Sequence, residues 1–170
     1  MRKNKKELKT FNAAFDFSLT KLSYRDHSKI ELENKLRQNG ATSEIIDAVI
    51  NKLLEYSYLN EERFGESIFN SWQLKGTHGI NALKLKFKKR FIEDSVAQKY
   101  IDSCDYDLEV KNAINLIKKY LKKNTKKYNL TDIKAKNAIK RGLIYRGFTF
   151  DTINRAFEEV KNMDDLECNE

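Results

Sequence analysis

Apolar anchors return along this chain in a fixed register. Leu32, Leu36, Ile46 and Ile50 recur 51 residues later as Leu83, Phe87, Ala97 and Ile101, and 107 residues after the first set as Ile139, Leu143, Ile153 and Phe157. Within each set the spacing suits amphipathic helices, and between the two pairs stands a stop followed by a polar cap. This self-similarity predicts an all-α chain of stacked helical units, an architecture that offers extended binding surfaces rather than enzyme pockets. Repeat 1 is expected over 9–58, repeat 2 over 59–104 and repeat 3 over 105–163, with 164–170 a mobile acidic tail.

Local signals place helices inside each repeat. Phe11, Phe15, Leu19 and Leu22 form the buried stripe expected of a helix over about 9–24. Ser28 and Glu31 have the spacing of a capping box, in which each side chain would satisfy the other's backbone amide. Ile30, Leu32 and Leu36 supply the inward side of that helix, and Gly40 ends it in a left-handed conformation. Thr42 caps the next helix, whose apolar side is Ile45, Val49, Ile50, Leu53 and Leu54. In repeat 2, Asn60 is the N-cap, Leu59 can staple onto Phe64, and Phe64, Ile68 and Trp72 form the stripe. The loop Gly76–Gly79 leads to a basic helix over about 80–91 with Leu83 and Phe87 inward. Phe91 stands where Gly40 and Gly147 stand, which predicts a looser or differently shaped stop. Repeat 3 shows Val110, Ala113, Ile117 and Leu121 on one side. It continues with Asp132 as a cap, Ile139 and Leu143 inward, Gly147 as the stop, and Thr149 with the Phe148 and Ile153 staple opening a ninth helix.

Composition sharpens the class. The chain has 170 residues, no Pro and six Gly, so little in it breaks a helix. Its two cysteines, Cys104 and Cys168, are too few and too distant for a disulfide framework or a zinc site, which suits a reducing cytosol. Apolar runs fall far short of the roughly 20 residues that cross a bilayer, and no apolar stretch follows the basic start, so neither a membrane span nor a signal peptide is expected. Net charge is +8 and strongly segregated. Residues 118–141 hold ten Lys and Arg against Asp132 alone, a net +9, whereas 151–170 hold seven acids against Arg155 and Lys161. A cationic block on helices points to a polyanionic partner, nucleic acid above all. The plainer explanation is a solvated surface in a Lys-rich chain.

Catalytic chemistry is missing. His27 and His78, the only imidazoles, fall in predicted turns, and no Ser or Cys motif accompanies them. Gly142 and Gly147 have the gap of a phosphate loop, but Phe148 occupies the position of its lysine and no strand precedes it. Acidic residues lack the clustering of a metal site, and no cofactor is implied. Tyr24, Tyr56, Tyr58, Tyr100, Tyr106, Tyr120, Tyr128 and Tyr145 could stack on bases, although half-buried packing at core edges is the expected role for most.

The run Arg25, Asp26, His27, Ser28, then Glu31, Leu32, Lys35, Leu36 and Gly40, resembles the first repeat of the RecX family of bacterial RecA regulators. Tyr58 to Phe64, read as Tyr, Leu, Asn, Glu, Glu, Arg, Phe and followed by Gly79 and Leu83, resembles that family's signature and its basic second repeat. The resemblance runs from about Phe11 to Val160. It departs from the family at Arg90 and Phe91, where Lys and Gly are usual, and at Gly65, where Ala is commoner. It implies three tandem three-helix repeats forming an elongated, curved helical array that lies in the groove of the RecA filament on DNA. The implied activity is non-catalytic: modulation of RecA, chiefly inhibition of its recombinase and ATPase functions, in recombination and repair. Expected partners are the RecA filament and single- or double-stranded DNA, met directly or within the filament. A cytoplasmic monomer is expected. Placing cations on the middle helices away from the apolar stripe selects Lys35, Arg37, Lys84, Lys88, Arg90, Lys134, Lys140 and Arg141 as contacts. The alternative is a helical-repeat DNA binder acting without RecA.

Overall fold

A computed structural model of the chain describes residues 7–123 and 133–167. Among them the chain forms nine helices and no strand: α1 (Phe11–Tyr24), α2 (Lys29–Gln38), α3 (Ser43–Glu55), α4 (Glu61–Lys75), α5 (Ile80–Lys89), α6 (Asp94–Asp102), α7 (Tyr106–Lys123), α8 (Ile133–Tyr145) and α9 (Phe150–Glu167). The all-α helical-repeat fold is the one the register implies. Of the twelve anchor positions, eleven are buried and Ile101 is half-buried. No described helix is long and apolar enough to cross a membrane. Helix α9 continues to Glu167, past the point where the tail is expected to begin. Asp132 and Tyr128 lie outside the described residues, as does Cys168.

Helix starts follow local chemistry. The Oγ1 of Thr10 accepts from the Ala13 N–H, Ser28 Oγ from Glu31, Thr42 Oγ1 from Ile45, Asn60 Oδ1 from Arg63, and Thr149 Oγ1 from Thr152. Each satisfies one of the amides that the first turn leaves without a partner. The capping box is only half made, because the Glu31 carboxylate turns instead to Arg25 and Arg90. The middle helices also share one stop. The N–H of Ala41 donates to Leu36 O, that of Ile92 to Phe87 O and that of Phe148 to Leu143 O, at 3.2 Å in all three. The residue before each has positive φ: +85° at Gly40, +53° at Phe91 and +84° at Gly147. Phe91 therefore makes the same turn as the glycines and accepts the steric cost of its Cβ, contrary to the looser stop expected from sequence.

Contacts divide the chain into two units, and α4, α5 and α6 contribute to both: the division falls after Ile68 in α4, after Lys86 in α5 and after Ala97 in α6. The first unit comprises residues up to Ile68 together with Phe87–Ala97, the second Phe69–Lys86 together with Gln98 onward. In the first, α1, α2 and α3 close on Leu32, Leu36, Ile46, Val49, Ile50 and Leu53. The predicted stripe of α1 is only partly covered: Phe11 is exposed, Phe15, Leu19 and Leu22 are half-buried, and the wholly buried residues are Ala14 and Ser18. Small residues let the backbone approach closely, and the Ser18 hydroxyl satisfies itself on Ala14 O at 2.8 Å. Ile30 and Leu54, expected inward, are exposed as well.

In the second unit α7 lies along α9, and Val110, Ala113, Ile117, Ile139, Leu143, Phe148, Ile153, Ala156 and Phe157 form its core. Glu109 is buried there. Its Oε1 accepts the Ile80 N–H at 2.7 Å and its Oε2 the Thr152 hydroxyl at 3.0 Å, so one carboxylate holds the start of α5 and the start of α9 to α7. Backbone meets backbone beside it: Gly79 N–H donates to Arg146 O and Asn81 N–H to Gly147 O, both at 3.0 Å.

Candidate binding surfaces

The motif residues of the first unit build a clasp. Arg25 donates to both oxygens of Glu31 at 2.8 and 3.3 Å, and Arg90, just past α5, donates to the same carboxylate at 3.2 Å. The Glu31 side chain is about one-tenth exposed. Burial pushes its pKa up, but the two guanidiniums outweigh burial and hold the carboxyl below its ordinary value. Nearby, Arg63 reaches Asp26 at 3.1 Å and Tyr58 O at 3.3 Å, while the Lys29 N–H donates to Glu61 at 2.8 Å. The two stretches read as a signature are thus joined to each other, and their polar side chains are largely engaged inside the fold. His27 is buried, with Nδ1 3.0 Å from Arg25 O, and burial lowers its pKa.

A cleft of about 530 Å³ opens beside the clasp, lined by Lys29, Ile30, Glu33, Glu61, Lys88, Phe91, Ile92, Glu93 and Asp94. Four carboxylates against two amines make it a poor seat for phosphate. Its apolar floor of Ile30, Phe91 and Ile92 is better suited to protein side chains.

The eight predicted contacts fall in different environments. Lys35 is half-buried on α2, and Arg37 is exposed and bonds Asn34. Lys84 and Lys88 are exposed on α5. Arg90 is committed to Glu31. On α8, Lys134 and Arg141 are exposed, and Lys140 bonds Asn154 at 3.1 Å with its ammonium over the Phe157 ring. The first unit holds Lys35, Arg37, Lys88 and Arg90, and the second holds Lys84, Lys134, Lys140 and Arg141.

A second set of cations escapes the sequence pattern. Around the loop Gly76–Gly79 of the second unit lie two recesses. One, of about 190 Å³, is lined by Ser71, Trp72, Lys75, His78, Ala82 and Lys86. The other, of about 200 Å³, is lined by Thr77, Leu116, Lys119, Tyr120 and Arg146. Among the described residues neither lining contains a carboxylate. The signal available in sequence was weak, because these residues come from α4, α5, α7, the loop itself and the residue that follows α8, and no periodicity connects them.

Tyrosines are more open than packing at core edges would make them. Tyr24, Tyr56, Tyr58, Tyr106 and Tyr145 are exposed, Tyr24 and Tyr145 almost fully. Cys104 is half-buried, and burial first, then the Glu109 charge, pushes its thiol up to about 11, so it is chemically quiet at neutral pH.

Comparison with known proteins identifies the pattern. Residues 14–53 match the first three-helix domain of RecX, and residues 107–157 match the third. The regulatory protein RecX of Bacillus velezensis is 31% identical over 160 residues, an overlap of 94% of this chain and 58% of the relative. That of Bacillus subtilis is 28% identical, covering 92% of this chain and 57% of the relative. The chain thus spans under three-fifths of the length of these Bacillus relatives. RecX of Pseudomonas savastanoi is 29% identical over 79% of this chain and 83% of its own length. Among solved structures, RecX from Lactobacillus salivarius superposes with a TM-score of 0.77 at 25% identity, covering 89% of this chain and 96% of that one. A second RecX structure, at TM-score 0.75 and 14% identity, shares the fold.

Proposed function

This chain belongs to the RecX family, and from that premise we propose that it is a non-catalytic regulator that binds RecA filaments on DNA and restrains their recombinase and ATPase activities. The observation that carries the reading is the match of both terminal three-helix domains to RecX, joined to relatives whose name is that of a regulatory protein. Surface chemistry supports it. Exposed Lys84, Lys88 and Arg141 present cations to a nucleoprotein, whose phosphates release counterions on contact. The apolar floor and acidic rim of the cleft beside Glu31 offer a complementary protein contact. The protein acts as a cytoplasmic monomer in this reading.

A direct test measures binding to RecA with DNA, to RecA alone and to DNA alone, beside a RecA ATPase assay. The proposal expects tightest binding to the preformed filament and a fall in ATP turnover. Equal affinity for naked DNA with unchanged turnover would instead support a DNA binder acting without RecA, the reading that the two cationic recesses favour.

A further inference from the structure

The three middle helices end in one turn, and one of the three turns carries a large side chain at its left-handed residue. Gly40 and Gly147 hold positive φ without a Cβ to oppose it, whereas Phe91 holds +53° against its own. Burial does not explain the residue, because Phe91 is 47% exposed while Ile92 beside it is buried. The glycine stops make the same turn, so the fold needs the turn here and not the phenyl group. A strained residue whose side chain stands open to solvent points to a contact made outside the chain.

The surroundings of the ring say what kind of contact. Phe91 lines the cleft of about 530 Å³ in the first unit, where exposed Ile30 and buried Ile92 complete the apolar floor. Covering such a floor removes apolar surface from water, which favours association. The rim is acidic, although the chain as a whole is cationic at +8. Glu33 has the Lys29 ammonium 4.0 Å away, and Glu61 accepts the Lys29 N–H. Glu93 and Asp94 are exposed at the start of α6, and Glu93 accepts from the neutral hydroxyl of Ser95 at 2.9 Å. Four carboxylates against Lys29 and Lys88 leave the cleft net negative. It repels phosphate and attracts a cation carried beside an apolar side chain.

Resting on the reading that the chain binds RecA filaments, we infer that this cleft takes a protein segment of the filament in which a large apolar side chain is flanked by Lys or Arg. The apolar side chain packs against Phe91 and Ile30, and its basic neighbours meet Glu93 and Asp94. Phe91 is the anchor of the contact, an aromatic ring covered by the partner and ringed by polar groups.

The test titrates the labelled full chain and its variants with RecA filaments preassembled on DNA, and takes a urea midpoint for each. Phe91→Gly relieves the left-handed strain, so its midpoint should lie at or above the parent's while its filament dissociation constant rises about tenfold. Phe91→Tyr keeps the ring and should bind within about twofold of the parent. The Glu93→Gln, Asp94→Asn pair should weaken binding about fivefold at low salt and make it less sensitive to salt. A phosphate partner predicts the opposite sign for that pair. Unchanged binding by Phe91→Gly, a lower midpoint for it, a loss in Phe91→Tyr as large as in Phe91→Gly, or unchanged or tighter binding by the acid pair would each overturn the inference. Tighter binding by that pair would also place nucleic acid at the cleft. If the parent chain ignores the filament, the inference falls together with the reading beneath it; if the parent binds and the variants bind equally, the inference falls alone.

Discussion

Glu31 accepts from two arginines while most of its side chain is out of water, and that combination sets how the first unit responds to acid. Its folded pKa lies below the ordinary 4.5, so its stabilising contribution is complete above that value and disappears as pH falls through the folded pKa. Buried His27 acts with the same sign. Its folded pKa lies below 6.5, so the unfolded imidazole takes a proton first, and stability declines as pH drops from 6.5 toward the folded value. His78, also lowered, adds to that upper step. Urea midpoints across pH should therefore fall in two stages. Glu31→Gln is expected to cost about 2 kcal/mol at neutral pH, a penalty that shrinks in acid as the native carboxylate itself is protonated. His27→Gln should diminish the upper stage and leave the lower one. A Glu31→Gln penalty that stays constant down to the acid limit would show that packing, and not charge, holds the clasp.

Helix stops carry the argument at the next scale, because three elements end in the same hydrogen-bond pattern with different neighbours. Gly40 and Gly147 share a φ near +85°, but a Cβ on Gly40 would meet only the Glu7 side chain and backbone at 3.7–3.9 Å, whereas one on Gly147 would meet the Ala82 nitrogen at 2.4 Å. Gly40→Ala should accordingly cost about 1 kcal/mol of left-handed strain, and Gly147→Ala that amount plus about 2 kcal/mol as α8 is forced off α5. Equal urea midpoints for the two variants would refute the close approach. The same contrast shows what sequence can reveal about elements. Caps at Ser28, Thr42, Asn60 and Thr149 were legible because one side chain and one amide a few residues away decide them. The stop at Phe91 was misjudged because hydrogen bonds from Ile92 and Phe91 back into α5 impose the turn whatever the residue. The face of α1 was misjudged for a tertiary reason: the close neighbour selects Ala14 and Ser18, while period alone selects the larger Phe11, Phe15, Leu19 and Leu22.

Across the whole molecule, charge was readable as an amount and hard to read as a surface. The +8 total and the block at 118–141 follow from counting, but a count cannot separate cations that face solvent from those already spent. Arg90 shows the difference. As one more positive residue near the end of a basic helix it invites a role in partner binding, yet Glu31, 59 positions earlier, takes its guanidinium at 3.2 Å. The recesses beside Thr77 and His78 went unread for the converse reason, since Lys75, Lys86, Lys119 and Arg146 converge only through tertiary packing. A filament-binding test built on α5 must therefore treat its cations separately. Lys84 and Lys88 are exposed, so the Lys84→Gln, Lys88→Gln pair should leave helicity and the urea midpoint within about 0.5 kcal/mol of the parent. That pair should weaken binding to RecA on DNA most at low salt, where unscreened charge counts for most. Arg90→Gln should do the opposite, lowering stability by about 1–2 kcal/mol through the loss of one partner of Glu31. An unchanged dissociation constant for the lysine pair at low salt would remove the exposed face of α5 from the filament contact, and weakened binding by Arg90→Gln alone, at unchanged stability, would show that Arg90 leaves Glu31 when the partner arrives.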